Sequence, residues 1–388
     1  MEPTDLPFIL NHLGEDRESG FRAVVPPVVQ SGNFTYPTVA ELRNAMRNEF
    51  DMPVYTRGAN PTVAMLRRKL AALEHAHDAL VFGSGSAAMA AAVMSFLKAG
   101  DHVVCVKKPY SWTAQLLDNL LPRFGITTDF IDGTDAENFR RAARPDTRMF
   151  VLESPNSITF ELQDLQAVAA IAKELGILTV CDNSYSSPLF QNPIDLGIDL
   201  VAHSGTKYIN GHSDVVCGVL AGSAAHIRQV MAGEFMTLGA IPSPHDAWLV
   251  MRGLRTLELR AHRSADSAER VARFLEDHAK VKQVNWPFLE SFPQHVLAKR
   301  QMKRCGGLMS IRLEAPDVAA VERFCNSLQR FLLAVSWGGY ESLQFPTAAV
   351  VDPQAPSGEV PWDLVRLYVG LEDPDVLIAD LEQALDRI

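Results

Sequence analysis

Lys207 has the most distinctive chemical setting in the chain, because it follows Ser204, Gly205 and Thr206 directly after an apolar stretch. A lysine amine that is buried at the end of a strand loses hydration, and this loss lowers its pKa. In its neutral form the amine is both a nucleophile and a base. Taken singly, a lysine is more often a hydrated surface residue, so a functional reading requires partners elsewhere in the sequence.

The run Gly83-Ser84-Gly85-Ser86 follows another apolar stretch and precedes an alanine-rich segment of helical character. Glycines let a backbone approach an anion closely, and the first N–H groups of a helix have no helical partner. The run is not a dinucleotide-binding G-x-G-x-x-G motif, because Ala88 stands at the last glycine position. By itself the run indicates either a phosphate site or a tightly packed turn.

Asp182 stands at the end of a third apolar stretch and is followed by Asn183. An ionised carboxylate at the end of a buried strand needs a cationic partner or several hydrogen bonds. Two interpretations are open for this aspartate alone: a ligand-binding carboxylate, or a cap that satisfies the backbone of a turn.

The three runs together match the needs of pyridoxal 5'-phosphate (PLP). This cofactor requires a lysine for its aldehyde, an acid opposite its ring nitrogen and donors for its phosphate. Lys207 would form the Schiff base and then act as the general base, and Asp182 would keep the ring nitrogen protonated. The phosphate would be held by the residues of the two small-residue runs: Ser84, Gly85, Ser86, Ser204 and Thr206.

Ordered motifs along almost the whole chain also resemble one enzyme family. The matching runs are Val25-Pro26-Pro27-Val28-Val29-Gln30-Ser31, Tyr55-Thr56-Arg57, Asn60-Pro61-Thr62, Glu153-Ser154-Pro155, Asp182-Asn183, Thr206-Lys207-Tyr208, Gly211-His212-Ser213-Asp214, Arg252-Gly253-Leu254-Arg255-Thr256-Leu257, Ser336-Trp337-Gly338-Gly339-Tyr340-Glu341-Ser342 and Gly370-Leu371-Glu372. The chain is similar in these motifs to the Cys/Met-metabolism PLP enzymes, which include cystathionine γ-synthases, cystathionine γ- and β-lyases and methionine γ-lyases. The resemblance implies an α/β fold of the aspartate aminotransferase-like type (fold type I of PLP-dependent transferases).

The resemblance implies roles for three side chains around the cofactor. Tyr110 would stack on the cofactor ring and assist proton transfer. Tyr55 and Arg57 would reach the phosphate of a neighbouring subunit, so that a homotetramer is built from dimers that share active sites. Without the family, Tyr110 is equally well a core tyrosine, and Arg57 is a surface arginine in an arm.

The resemblance also implies a set of substrate contacts for an amino acid. Arg366 would bind the substrate α-carboxylate with both arms of its guanidinium. Ser336 and Trp337 would line the same pocket. Asn156 would lie near the phenolic oxygen of the cofactor and would contact the substrate together with Tyr55. From strand alternation alone, Arg366 is expected to point outward.

Details of the motifs favour β-elimination as the reaction. The runs beginning at Glu153 and Ser336 resemble the bacterial cystathionine β-lyases, and Val335 stands where γ-acting members commonly carry a glutamate. Trp112 stands where methionine γ-lyases carry a cysteine. The first hypothesis is therefore a cystathionine β-lyase, which converts L-cystathionine to homocysteine, pyruvate and ammonia. The alternatives are γ-elimination or γ-replacement on a homoserine-derived amino acid, and a non-catalytic PLP-binding regulator.

The elements that must position these residues are strands that alternate with helices. Short apolar stretches predict strands at 79–82, 102–106, 128–131, 149–152, 177–181, 200–202 and 215–220, with helices that include 87–97 and 165–175. This alternation predicts a mainly parallel seven-stranded sheet that is covered on both faces. Active sites in such sheets lie beyond the carboxyl ends of the strands, which is where the three runs fall.

Three parts are predicted along the chain: an arm at 1–60 that contacts a neighbouring subunit, a large PLP-binding domain at 61–245, and a smaller α+β C-terminal domain at 246–388. A single long helix over 246–277 would connect the two domains. In the C-terminal domain, strands are predicted at 308–313, 332–335 and 365–369, followed by a final helix from Pro374.

Composition restricts the functional class and the compartment. The net charge of −10 argues against nucleic-acid and membrane partners, which leaves a small-molecule substrate. No run approaches about 18 consecutive apolar residues, and the start of the chain lacks the basic segment of a secretory signal. The five cysteines lack paired spacing and a histidine cluster, which predicts reduced thiols in the cytoplasm and no metal site.

Overall fold

A seven-stranded sheet forms the centre of the larger part of the computed structural model, which describes residues 5–350 and 360–388. Its strands are β1 (Asp78–Phe82), β2 (His102–Val106), β3 (Thr127–Ile131), β4 (Thr147–Glu153), β5 (Leu178–Asp182), β6 (Leu200–Ser204) and β7 (Gly218–Gly222). Their order across the sheet is β1-β7-β6-β5-β4-β2-β3. All neighbours from β6 to β3 pair in parallel, whereas β7 runs antiparallel to both β6 and β1. The prediction of a mainly parallel seven-stranded sheet is confirmed.

Helices cover both faces of this sheet, as its apolar strands require. In β7, Val219 and Ala221 pack in one apolar cluster, and Leu220 between them packs in a second cluster on the opposite face. The helices of the chain are α1 (Leu6–Asn11), α2 (Val39–Arg47), α3 (Pro61–Leu73), α4 (Gly85–Met94), α5 (Ser111–Gln115), α6 (Glu137–Ala142), α7 (Leu165–Leu175), α8 (Ser187–Phe190), α9 (Ala224–Val230), α10 (Met236–Leu238), α11 (Pro244–Leu254), α12 (Leu257–Glu276), α13 (His295–Gln301), α14 (Val318–Ser327) and α15 (Pro374–Leu385). Short 3-10 or π-helical turns occupy Leu116–Leu120, Leu121–Phe124, Pro193–Leu196, Met231–Phe235 and Thr347–Ala349.

A second, smaller sheet follows in the C-terminal part of the chain. Its strands are β8 (Val281–Asn285), β9 (Leu308–Leu313), β10 (Leu332–Leu333), β11 (Leu343–Pro346) and β12 (Leu364–Tyr368), in the order β10-β11-β12-β9-β8. Helix α12 packs against β8, β9 and α15. The smaller α+β unit expected after the large sheet is therefore present. The boundaries at 60 and 245 remain a prediction.

Two elements differ from the sequence prediction because backbone groups bond outside the regular pattern. The single helix expected over 246–277 is divided into α11 and α12, since Gly253 O accepts from Thr256 N at 3.1 Å and from Arg260 Nη2 at 2.9 Å. The strand expected over 215–220 begins later, as β7. Residues 215–217 lie outside the strand, because Cys217 bonds to Thr206. Cys217 N donates to Thr206 Oγ1 at 3.0 Å, and Cys217 O accepts from Thr206 N at 3.3 Å.

The smaller sheet also differs from the prediction, at its two edge strands β8 and β10 and at the inner strand β11. Strands β8 and β11 carry too few apolar residues in alternation to be predicted, and the first three residues of β8 are not buried. The strand expected over 332–335 is only the two-residue β10, both of whose side chains are exposed. Edge strands bury little surface, so their apolar pattern is weak.

A buried ion pair anchors the first part of the chain to α3. Lys69 Nζ lies 3.1 Å from Glu15 Oε1, and both side chains are fully buried. The same amine donates to Ile9 O at 3.1 Å and to Leu10 O at 3.2 Å. Burial lowers the pKa of Lys69, while the Glu15 carboxylate opposes that shift. Because both charges are paired, α1 is held on α3 without an isolated buried charge.

The cysteine side chains are buried and none forms a disulfide; they are Cys105, Cys181, Cys217, Cys305 and Cys325. Burial raises the pKa of the Cys217 thiol to about 12, so this thiol stays protonated near neutral pH. Within residues 5–350 and 360–388, no helix has the length and apolar character needed to cross a lipid bilayer.

Gly338 brings the segment before β11 against the turn that carries Lys207. Its φ is +89°, in the left-handed region that residues with a β-carbon rarely adopt. A β-carbon at this position would lie 2.8 Å from Tyr208 N and 2.9 Å from Lys207 Cα. Glycine is therefore required at this position both by conformation and by space.

The variant Gly338→Ala is expected to lower the free energy of unfolding by about 2–4 kcal/mol, because left-handed strain adds to overlap with the Lys207 turn. Gly100→Ala is the matched control, since its φ is +90° but its β-carbon would meet no atom within 4 Å. The control carries only the conformational cost, about 1 kcal/mol. Thermal unfolding followed by circular dichroism compares the two. Equal melting temperatures would contradict the close approach at Gly338.

Candidate active site

The carboxyl ends of neighbouring strands bring the predicted residues to one edge of the large sheet. Asp182 ends β5 and Ser204 ends β6, and Lys207 lies in the turn that follows β6. Ser84 follows the end of β1, which is parallel to β6 because both are antiparallel to β7. Tyr110 follows the end of β2. Since these strand ends share one edge of the sheet, a single site can form there.

The two small-residue turns lie against each other with no room for β-carbons. A β-carbon on Gly85 would lie 2.8 Å from Ser204 Cα, and one on Gly205 would lie 2.5 Å from Cys217 Sγ. A β-carbon on Gly218 would overlap the backbone of Ser84. Helix α4 begins at Gly85, so its first N–H groups, which lack helical acceptors, lie beside Ser204. This cradle of backbone donors fits an anion such as a phosphate.

Two hydroxyl groups of the cradle form hydrogen bonds to the backbone, and a third is exposed. Ser84 caps α4 through its Oγ. Thr206 Oγ1 donates to Cys217 O at 3.2 Å and accepts from Cys217 N at 3.0 Å. Ser86 is exposed, and its side chain is hydrogen bonded to Tyr110. Ser84 and Thr206 thus fix the backbone of the cradle, and Ser86 presents a hydroxyl at its surface.

Lys207 lies where its charged form is disfavoured. Burial lowers its pKa to about 8, and the nearby Arg366 acts in the same direction, whereas Asp182 opposes the shift. The amine Nζ donates to Ser336 Oγ at 2.6 Å and lies 5.5 Å from the ring centre of Trp337. Near neutral pH a useful fraction of this amine is unprotonated, which a nucleophile or base requires.

Ser336 and Trp337 reach Lys207 from the C-terminal part of the chain. The φ of Ser336 is +77°, and Trp337 is buried with its ring edge-on to Tyr208 at a centroid distance of 5.6 Å. Ser336 and Arg366 line the same narrow crevice. Three of the predicted substrate-binding residues are therefore grouped beside the lysine.

Arg366 faces the large sheet, not solvent, although it alternates with apolar residues on β12. Its Nη1 donates to Ser157 O at 3.3 Å, in the loop after β4. Burial lowers the pKa of Arg366 to about 10, and the nearby Glu153 and Tyr110 oppose this shift. The face of β12 that would be outward in an isolated sheet is covered by the larger part of the chain, which explains the inward arginine.

Tyr110 presents a partly exposed ring between several charged groups. It precedes α5 and is 43% exposed, so one side of the ring is free to contact a ligand. Burial raises the pKa of its phenol, and the carboxyl groups of Asp182 and Glu153 act in the same direction. The hydrogen bond with Ser86 opposes the shift. The phenol is thus protonated near neutral pH and can donate a proton.

Glu153 belongs to this cluster although the sequence analysis gave it no role. It ends β4 in register with Asp182 at the end of β5, and it is buried. Burial raises the pKa of Glu153 to about 8, and the neighbouring Asp182 acts in the same direction. The signal in the sequence was a carboxylate at the end of an apolar strand, which is the signal that identified Asp182.

Three of the predicted site residues, Tyr55, Arg57 and Asn156, have their contacts outside the group of side chains around Lys207. Arg57 Cζ lies 5.5 Å from the ring centre of Tyr55, and both side chains are exposed. Asn156 is buried, and its Oδ1 accepts from the three backbone N–H groups of 158–160 at 2.8–3.1 Å. Asn156 therefore shapes the loop after β4, which also supplies the carbonyl that Arg366 binds.

A separate cavity of about 590 Å³ is lined by residues from both parts of the chain, between Val106 and Gln163 and between Gln283 and Leu364. Its lining includes Lys108, whose Nζ is 2.7 Å from Glu161 Oε1, and Arg312, whose Nε donates to Asp363 Oδ1 at 3.0 Å. These charges are paired within the protein. None of the predicted site residues lines the cavity, so we do not include it in the candidate active site.

Comparison with known proteins gives concordant matches over the whole chain. The family model described as Cys/Met metabolism PLP-dependent enzyme matches residues 9–386. The chain is 39% identical over 382 residues to the L-methionine gamma-lyase of Pseudomonas deceptionensis, which covers 96% of this chain and 95% of that protein. It is 39% identical over 376 residues to the cystathionine gamma-synthase of Mycobacterium tuberculosis, with 96% and 95% covered. The crystal structure of metB from Corynebacterium glutamicum matches with a TM-score of 0.92 at 35% identity, over 98% of each chain.

In the cofactor-free protein, the Lys207 amine is expected to become reactive around pH 8. Because the unfolded chain holds this proton to a higher pH, the contribution of Lys207 to stability rises with pH between about 8 and 10.5. Arg366→Met removes a neighbouring cation and is expected to raise the reactive midpoint. The midpoint of Lys207 acylation as a function of pH is measured by peptide mass spectrometry for the wild type and for Arg366→Met. The exposed Lys173 is the internal reference. A wild-type midpoint near 10.5 would contradict the buried amine.

Proposed function

Because the chain belongs to the Cys/Met metabolism PLP-dependent enzyme family, we propose that it acts at the γ-carbon of a sulfur-containing or homoserine-derived amino acid, by γ-elimination or γ-replacement. The observation that carries the proposal is the end-to-end similarity to proteins named methionine gamma-lyase and cystathionine gamma-synthase. The comparisons thus favour the γ-acting alternative over the cystathionine β-lyase that motif details suggested.

The residues at the sheet edge fit PLP. When bound, the cofactor supplies an electron sink for negative charge at the substrate α-carbon. The N–H groups at the start of α4, with the exposed Ser86 and the turn from Ser204 to Thr206, are suited to its phosphate. Asp182 supplies the carboxylate for the ring nitrogen, and Tyr110 supplies an aromatic face. These roles are proposed from the positions and the chemistry of the side chains.

Lys207 is proposed to anchor the cofactor and to move protons. With a pKa of about 8, its amine has both protonation states accessible near neutral pH, so it can take a proton and give it back. Its Nζ would take the proton from the substrate α-carbon, and in γ-chemistry it would also take one from the β-carbon. Ser336 Oγ, which accepts from Nζ at 2.6 Å, holds the amine in place between these transfers.

Arg366 is proposed to bind the α-carboxylate of the substrate. Its guanidinium and Ser336 both lie near the Lys207 amine, so a carboxylate bound by Arg366 would place the substrate backbone near that amine. Its planar guanidinium can hold a carboxylate through two parallel hydrogen bonds. Trp337 closes one side of the space around Lys207 and excludes water from it. Water exclusion strengthens the electrostatic attraction between the arginine and the carboxylate.

Cystathionine β-elimination is the second candidate function, and one position favours it. Val335 stands where γ-acting members commonly carry a glutamate, and its side chain is 70% exposed beside Ser336. A carboxylate is therefore absent from that position. The two candidates differ in one proton transfer, because only γ-chemistry removes a proton from the β-carbon.

We also propose that the active unit is a homotetramer of active-site-sharing dimers in the cytoplasm. The exposed pair of Tyr55 and Arg57 supports the shared site, because these side chains are available to a neighbouring subunit. The buried, unpaired thiols, such as Cys105, support a reducing compartment. Sedimentation of the holoenzyme that detected only monomers would contradict the assembly.

Product analysis tests the proposed reaction directly. The purified holoenzyme is incubated with methionine, cystathionine, cystine and O-acetylhomoserine, and the oxo acids formed are separated. We expect 2-oxobutanoate from at least one γ-substituted substrate, since γ-elimination leaves a four-carbon oxo acid. Free PLP without protein is the control for non-enzymatic cleavage.

Two results would contradict γ-elimination. Pyruvate from cystathionine, with 2-oxobutanoate from none of the substrates, would contradict γ-elimination and establish the β-lyase alternative. If no substrate yields an oxo acid, O-acetylhomoserine with cysteine tests γ-replacement, and failure to form cystathionine there would leave the non-catalytic alternative.

A further inference from the structure

Glu153 joins two parts of the proposed substrate site through its two carboxyl oxygens. Oε2 accepts from Tyr110 N at 2.5 Å, and Oε1 accepts from Ser157 N at 3.0 Å. Ser157 O in turn accepts from Arg366 Nη1 at 3.3 Å. One side chain therefore bonds to the backbone N–H of the aromatic residue and to the backbone N–H of Ser157, the residue whose carbonyl contacts the guanidinium.

We propose that Glu153 is a positioning residue, which sets Tyr110 and Arg366 in a fixed relation on opposite sides of the bound amino acid. The inference rests on the proposed function, which gives Tyr110 and Arg366 their contacts with cofactor and substrate. Glu153 acts through these two residues and makes no contact with the reacting atoms.

Burial beside Asp182 makes the position of Glu153 unfavourable for a charged carboxyl group, and its hydrogen bonds offset that cost. It is 6% exposed and lies in register with Asp182, so it is desolvated beside a like charge. Burial and Asp182 raise its pKa, while hydrogen bonds from the backbone of Tyr110 and from the side chain and backbone of Ser157 oppose that shift. The titratable and charged groups that interact with it electrostatically include Cys105, Tyr110, Cys181, Asp182 and Arg366.

A glutamine cannot replace this carboxyl group without losing one of the two bonds. Both carboxyl oxygens of Glu153 accept from a backbone N–H. An amide of the same shape offers one acceptor oxygen and one NH₂ group, which only donates. In Glu153→Gln, the NH₂ group therefore faces the backbone N–H of either Tyr110 or Ser157. Because two donors repel each other, the segment that carries this N–H must move.

Asp380 provides a matched control for a purely structural role. It is also a carboxylate that is 6% exposed, and it accepts from Gln329 N at 3.0 Å and from Arg330 N at 2.7 Å. It lies on α15, and its described side-chain hydrogen bonds join it to Gln329, Arg330 and Gln383, none of which is a proposed site residue. Asp380→Asn likewise replaces one acceptor oxygen by a donor, so that its NH₂ group faces either these backbone N–H groups or Gln383 Nε2, which donates to Oδ1 at 3.1 Å.

The test compares the wild-type, Glu153→Gln and Asp380→Asn holoenzymes by affinity for L-norleucine and for pentylamine. These ligands differ only in the α-carboxylate, so the ratio of their affinities reports how well Arg366 is placed. Binding is read from the change in cofactor absorbance. Steady-state kcat and KM and the melting temperature are measured on the same samples, with the best substrate from the product analysis.

We expect Glu153→Gln to lose about 10- to 100-fold in kcat/KM and about tenfold or more in its preference for norleucine, the effect of one lost bond to a charged group. Asp380→Asn should lower the melting temperature and leave the preference and kcat/KM unchanged. A Glu153→Gln enzyme with the wild-type preference and kcat/KM would overturn the proposal, whatever its melting temperature.

Two further variants keep the test decisive. If Glu153→Gln does not fold, Glu153→Asp retains both carboxyl oxygens but withdraws them by one methylene, and the same loss of norleucine preference is expected. Arg366→Met tests the underlying function separately. If the wild type and Arg366→Met show equal preference, the α-carboxylate role of Arg366 fails. If Arg366→Met loses the preference and both Glu153 variants keep it, only the positioning role fails.

Discussion

Burial of the Lys207 amine disfavours the ammonium form, and separate parts of the chain combine to impose that burial. The turn after β6 carries the lysine, the segment before β11 supplies Ser336 and Trp337, and β12 supplies the cation of Arg366. Gly338 allows this packing, because a side chain there would collide with the lysine backbone. The smaller sheet is thus required for the chemistry of a residue that belongs to the larger one.

The parallel arrangement of the strands has an electrostatic consequence at the same edge. Strand ends that meet there place Glu153 and Asp182 side by side, and desolvation makes this like-charge pair unfavourable. Backbone N–H groups and the guanidinium of Arg366 offset the cost. The positive charge of the arginine therefore serves the stability of the carboxyl pair as well as the lysine pKa, and it remains available to attract an anionic substrate.

The sequence predicted features that depend on local patterns and missed those that depend on distant contacts. Strand β2 lies where its apolar run predicts, and the small-residue runs around Ser84 and Ser204 lie together at the sheet edge as expected. The break between α11 and α12 arises from Arg260, which donates to the carbonyl of Gly253, and no helical pattern encodes that bond. Glu153 was overlooked because its two partners lie in other segments. The motifs favoured β-chemistry, whereas the comparisons favour γ-chemistry. The two reactions differ in one proton transfer, which neither motif nor fold specifies.

The central claim is that Lys207, through its buried and partly deprotonated amine, is the residue that holds the cofactor. Reduction of the holoenzyme with borohydride makes the bond between a lysine amine and PLP permanent, and peptide mass spectrometry then locates it. The account predicts that the added mass of the reduced cofactor is found on the peptide that contains Lys207. Its presence on another lysine, such as Lys69 or Lys108, with Lys207 unmodified, would contradict the account.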